Sequence, residues 1–225
     1  MVSRSAGHPR SGRGRPIGGS ERKRAAITTA ALRLFERDGF ARTSVDAIAA
    51  EAGVSKRTIY NHYADKESLF LAVVRDTYSS LIEAVTTLMD TYLTDLADGA
   101  DVERGIVSFA REFALLAARS PERPSLIRLM MAEAPHFPEL RAERLRPRGI
   151  TAALAERLAR MAARGLLEVP DPDDAANHLF ALTLGQVNNR SMYGAMLPPD
   201  DEIVLMATSG ARAFLRAYRP GAFSG

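Results

Sequence analysis

Arg57 and Asn61 stand four residues apart in the run Ser55-Lys56-Arg57-Thr58-Ile59-Tyr60-Asn61-His62-Tyr63. On a helix that spacing places both side chains on one face, a turn apart. If Ile59 is turned to a core, both point directly away from it. An outward guanidinium can make two hydrogen bonds to a guanine edge, and an outward carboxamide two to adenine. The pair is therefore suited to reading base edges, with Lys56 as a third candidate. Thr58 and Tyr60 flank the outward face, while His62 and Tyr63 fall back toward a seam with neighbouring helices. Taken singly, Arg57 and Asn61 are ordinary solvent-facing residues. Their surroundings give the pair its weight.

Other chemistries find little support. The four histidines are His8, His62, His136 and His178, and none sits in a recognised nucleophile or metal arrangement. His136 and Glu139 have the i, i+3 spacing that metals use, but Pro135 and Pro138 disturb that turn and no second ligand pair follows. Cysteine is absent, so there is no thiolate site and no disulfide framework. No enzyme activity, metal or cofactor is expected.

The elements that must position the pair are legible around it. Thr43 is expected to cap a short helix, with Asp46 completing a capping box, and Val45, Ile48, Ala49 and Ala52 on its inner face. Gly53 breaks that helix and Val54 plugs the turn. Ser55 caps the next helix, which is expected to run to about Tyr63, and Asp65 caps a fourth. A helix-turn-helix over 44–63 places its second helix in the major groove of DNA. Before it, Ile27, Ala30, Ala31, Leu34 and Phe35 form one apolar stripe at helical period from about Glu21 to Asp38. Gly39 is expected to end that helix as a left-handed cap. A lysine in the first turn of the fourth helix opposes the helix dipole. Lys66 makes more sense if a phosphate approaches that terminus. Thr43 and Ser44 are placed similarly, and Tyr60 and His62 reach flanking phosphates. With Ser55, Thr58 and Tyr63 they make up the expected phosphate-binding set.

Beyond residue 75 the pattern stays helical, with helices expected near 66–97, 101–119, 125–133, 138–165, 172–193 and 200–218. No strand-like alternation and no fixed repeat is visible, so the chain is expected to be all α. The organisation expected is a disordered basic arm over 1–20, a DNA-binding head over 21–81, a larger helical body over 82–218 and a tail over 219–225. Residues 1–66 carry thirteen Lys and Arg against six Asp and Glu, a net +7, and the overall +3 leaves −4 for the remainder. A basic front on an acidic body suits a polyanion partner, although a solvated basic surface reads the same way. Within the arm, Arg13-Gly14-Arg15-Pro16 resembles the core of an AT-hook, with Arg13 and Arg15 along a minor groove. A generic basic tail gaining affinity through phosphates is the preferred alternative. No apolar run approaches the ~20 residues of a membrane span, the N-terminus lacks a signal-type apolar stretch, and cysteine-free composition fits a cytoplasmic, nucleoid-associated protein.

These motifs carry a resemblance. Gly53-Val54-Ser55, Thr58-Ile59-Tyr60, His62-Tyr63 and Asp65-Lys66-Glu67-Ser68-Leu69 resemble the signature of the tetracycline-repressor (TetR) family, and Phe35, Gly39-Phe40 and Thr43 match its first helix and turn. The likeness covers residues 21–81. It implies a homodimer on a palindromic operator, and a C-terminal domain that binds a small molecule and forms the dimer. It also implies that Thr43, Thr58, Tyr60, His62 and Lys66 hold backbone phosphates while helix 3 reads bases. Residues 132–140, Ala163 to Leu167 and Asp171 to Phe180 resemble the AefR-like branch of C-terminal domains. The basic arm is longer than the family's minimal start.

The implied dimer would use two apolar faces, Leu179, Phe180, Leu184 and Val187 on one helix, and Ile203, Met206, Ala207, Phe214, Leu215 and Tyr218 on the other. Gly185, Gly210 and Ala211 would allow close approach. The same faces could simply close one subunit's core. Phe109, Phe113, Met130, Met131 and Phe180 are candidates for an effector pocket, with Asn188 or Arg190 as polar anchor, although such positions also make plain core. An apolar or amphipathic effector is expected. The reading is a repressor released by that effector, with a non-specific architectural DNA binder or a ligand-responsive activator as alternatives.

Overall fold

The computed structural model describes residues 17–120, 123–137 and 148–221; the expected minor-groove residues Arg13 and Arg15 lie outside them, as does Glu139. Every regular element among the described residues is helical. The chain opens with α1 (Ile17–Asp38), α2 (Val45–Glu51), α3 (Lys56–Tyr60) and the long α4 (Lys66–Tyr92). It continues with α5 (Gly99–Arg119), α6 (Arg123–Glu133), α7 (Arg148–Ala163) and α8 (Pro172–Phe180). A π turn (Ala181–Gly185) leads into α9 (Gln186–Arg190), and α10 (Asp200–Ala217) closes the fold.

Local sequence explains the head. α1 begins at Ile17, four residues before the expected start, so residues 17–20 belong to a helix and not to the arm. Its stripe of Ile27, Ala30, Ala31, Leu34 and Phe35 is fully buried. Gly39 ends it at φ +79°, with its N–H on the Phe35 carbonyl at 2.9 Å. This is the left-handed cap that glycine adopts without steric cost. Gly53, at φ +63°, makes the turn between α2 and α3. α4 starts from Asp65, whose side chain accepts from the Ser68 N–H while the Ser68 hydroxyl accepts from the Asp65 N–H, a reciprocal capping box.

Two large hydrophobic cores result, joined by α4, with a smaller cluster of Ala114, Ala118, Val187, Ile203 and Ala207 beside α10. The head core gathers Phe35, Ile48, Ile59, Leu69 and Phe70. The body core gathers Val85 and Met89 of α4 with Phe109, Phe113, Leu154, Leu158 and Phe214. The boundary expected at residue 81 falls inside α4, and Leu126, Leu129 and Phe137 from beyond it are buried in the head core. The Phe137 ring lies 4.9 Å from both Phe40 and Phe70.

The faces expected to form a dimer are spent within one chain. Leu179, Leu184, Val187, Ile203, Ala207, Phe214 and Tyr218 are all buried against their own subunit. Gly210 explains how closely α10 approaches: a Cβ there would lie 1.9 Å from the Leu182 carbonyl oxygen of the π turn. The small residue serves helix packing inside the protomer. A continuous helix expected over 172–193 is instead interrupted by the π turn and ends at Arg190.

Candidate nucleic-acid interface

α3 presents Lys56, Arg57, Tyr60 and Asn61 to solvent while Ile59, 1% exposed, anchors it to the core. Asn61 is the C-cap, still in helical conformation, so it lies one turn from Arg57 as the spacing requires. No described residue bonds to the side chain of Arg57 or Asn61. Lys56 differs: its ammonium donates to Asp46 of α2 at 2.8 Å, and the carboxylate holds it above the ordinary lysine pKa. An exposed pair of this kind is weak and exchangeable. Tyr60 is 48% exposed beside the same face.

The hydroxyl groups divide by task. Ser44, not Thr43, caps α2, accepting the Ala47 N–H at 3.1 Å. Ser55 caps α3, accepting the Thr58 N–H at 3.1 Å and sharing a proton with the Thr58 hydroxyl at 2.8 Å. Each cap uses an oxygen lone pair and leaves donor capacity facing solvent. His62 is half-buried and stands against the Tyr63 ring.

Three residues of the expected phosphate-binding set are engaged within the head. Thr43 is buried and its hydroxyl points into the chain, toward the carbonyls of Gly39 at 2.8 Å and Leu34 at 3.2 Å, where it satisfies the open end of α1. Tyr63 is buried, with its hydroxyl beside the Arg24 guanidinium and its pKa pushed up by burial. Lys66 folds back on the head: its ammonium donates to the carbonyls of Phe40 at 2.9 Å and Thr43 at 3.1 Å. Its charge therefore neutralises the carbonyl-rich turn between α1 and α2 rather than facing outward.

The expected effector residues divide between separate places. Phe109 and Phe113 stack at 5.7 Å in the body core, with Phe180 5.5 Å from Phe113. Met130 packs on the head core, Met131 is 56% exposed, and Asn188, within α9, lines a tight crevice with Ser191 and Tyr193. Arg190 is tied to Glu202 at 2.8 Å on the surface. A further apolar space lies between α4, α5 and α6, lined by Tyr78, Leu81, Ala84, Leu116 and Leu126. The sequence signal for it is a second apolar strip on α5, Leu115 and Leu116, beside the buried Phe109 and Phe113 stripe. Among the described residues no cluster of metal-ligating side chains forms, and no helix is long and apolar enough to cross a membrane.

A capped three-helix head with an exposed Arg/Asn face on its third helix, continued by α4 into a helical body, defines a helix-turn-helix DNA-binding regulator. The model of the bacterial regulatory proteins of the tetR family matches residues 27–73. That of the AefR-like transcriptional repressor C-terminal domain matches residues 105–220. The chain belongs to the TetR family, whose members are transcription factors and not enzymes.

Among curated relatives, the repressor NicS of Pseudomonas putida is 31% identical over 94 residues, 42% of either chain. The activator FasR of Mycolicibacterium smegmatis is 33% identical over 90 residues, 36% of this chain and 41% of its own. The chain thus matches well under half the length of these relatives. A TetR-family regulator structure from Mesorhizobium loti is 32% identical with TM-score 0.79, covering 89% of this chain and 98% of its own. The structure of the flavonoid-responsive regulator FrrA is 30% identical with TM-score 0.65, covering 90% of this chain and 100% of its own.

Proposed function

We propose that this regulator is a repressor that binds a palindromic operator as a homodimer and leaves it when a small molecule binds the body. The exposed, unengaged Arg57 and Asn61 on a core-anchored α3 carry this reading. They are the base readers, with Lys56 joining them once it releases Asp46. Ser44, Ser55, Thr58, Tyr60 and His62 contact flanking phosphates. A two-fold dimer presents two such heads at successive major grooves, and palindromic half-sites mirror it. Since the inner faces of α8 to α10 are consumed, the partner subunit meets the outer face of α10, where Leu205 is 69% exposed. Repression is favoured by the AefR-like repressor C-terminal domain and by the relative NicS. An effector is favoured by the likeness to a flavonoid-responsive regulator. The place of action is the cytoplasm, at the nucleoid.

The test is fluorescence anisotropy at two salt concentrations, with the DNA flanking this protein's own gene and a shuffled control. Selective binding with two protomers per site is expected. Equal, steeply salt-dependent binding to both DNAs would point instead to a non-specific binder working through phosphates.

A further inference from the structure

The space between α4, α5 and α6 has two parts. An inner cavity of about 160 Å³ is lined by Tyr78, Leu81, Leu126 and neighbours. Past Ala84, Leu116 and Ser120, which line both parts, it meets an open groove of about 550 Å³ that runs along Leu88 and Leu115 to Glu112 and Arg119. The inner part alone is smaller than the roughly 300–1,000 Å³ that encloses a typical ligand. A molecule seated in it must therefore extend outward along the groove. Its inner end meets leucine, alanine, the Tyr78 ring and the side chains of Thr77, Ser80 and Ser120, and its outer end meets two charged residues.

The charges at that outer end are unequal. Arg119 is already paired with Asp200 of α10, and that carboxylate together with Glu112 raises its pKa. Arg119 is thus committed to Asp200, which leaves Glu112 as the carboxylate on the groove wall. An anionic head group would be repelled there. A hydroxyl or an ammonium would donate to Glu112.

The inner wall is also part of the DNA-binding head. Leu126, 1% exposed, lines the cavity and belongs to the head core; Tyr78 lines the cavity and packs on that same core. A ligand that parts α6 from α4 must therefore shift residues on which the head rests.

We propose that this junction, rather than the Phe109–Phe113 interior, is the effector site, and that it takes an elongated apolar molecule ending in a neutral hydroxyl or a cation, not a carboxylate. The inference rests on the effector-release reading above. It is tested on the full chain with 1-decanol, decylamine and decanoate as matched probes, read by thermal melting and by release of bound DNA. Decanol and decylamine raise the melting temperature and release DNA; decanoate binds at least ~10-fold more weakly, a difference of about 1.4 kcal/mol. Ala84→Phe fills the passage between cavity and groove and abolishes the response. Glu112→Lys, on the exposed rim, reverses the order of decylamine and decanoate.

Failure of all three probes to bind, or equal binding to wild type and Ala84→Phe, overturns the site. DNA release that survives Ala84→Phe overturns the site while leaving effector release standing. Binding that obeys both variants but never releases DNA upholds the site and removes the release reading.

Discussion

The Lys66 ammonium lies 4.3 Å from the centroid of the Phe40 ring while donating to the Phe40 carbonyl at 2.9 Å. One side chain at the start of α4 thereby fixes both the backbone and the ring of the turn that precedes α2. Charge-assisted hydrogen bonds and a cation over a ring each contribute on the order of 1 kcal/mol when partly shielded from water. Lys66→Met is expected to destabilise the chain by about 1–3 kcal/mol in urea unfolding. Unchanged stability, with the salt slope of DNA binding reduced by about one, would mean that Lys66 serves a phosphate after all.

Arg57→Ala removes an exposed side chain with no hydrogen bond or ion pair to the described residues, so the fold should be indifferent to it. Operator affinity is expected to fall by ~1–3 kcal/mol, with little change on random DNA. Competition binding against both DNAs measures the two losses. Equal losses would rule out base reading by Arg57.

Phe137 is 5% exposed and packs on Phe40 and Phe70 from outside the head's own stretch of sequence. Truncation to alanine leaves an aromatic-sized hole in the head core, at a cost of about 3–5 kcal/mol. The unfolding midpoint of the full chain should drop accordingly, and DNA binding should fail at a lower temperature. A midpoint matching wild type would show that the head closes without this ring.

Leu205 is the large apolar residue that α10 leaves in solvent. Leu205→Glu places a charge at the proposed subunit contact and nothing else in the protomer is disturbed. Light scattering behind size exclusion should report the mass of one chain in place of two, with helical circular dichroism retained. A dimer that persists would move the contact elsewhere.

The helical order, the Gly39 and Gly53 turns, the Asp65 cap and the Arg57/Asn61 face are all legible in the sequence, because each depends on residues a few positions apart. What local spacing leaves open depends on distant partners. Thr43 and Ser44 are equally good caps by type; only the carbonyls left open at the end of α1 decide that Thr43 turns inward. A lysine in a first helical turn invites a phosphate until the chain folds a carbonyl-rich turn against it. Phe109, Phe113 and Phe180 have the same helical spacing whether they line a cavity or fill a core. The cavity that forms lies where Ala84 is small and α6 crosses at the junction, a matter of tertiary placement. Gly210 looked fit for contact between subunits, whereas the close approach it permits is to Leu182 of its own chain.

The lodging of Leu126, Leu129 and Phe137 beneath the DNA-binding helices bears on exchanging parts between family members. A chimera cut at residue 81, where the sequence motif ends, would graft one regulator's reading head onto another's body and leave Phe40 and Phe70 facing a foreign residue in place of Phe137. Specificity and inducer response are thus not separable at the motif's edge. A working hybrid has to carry the 126–137 segment along with the head it covers.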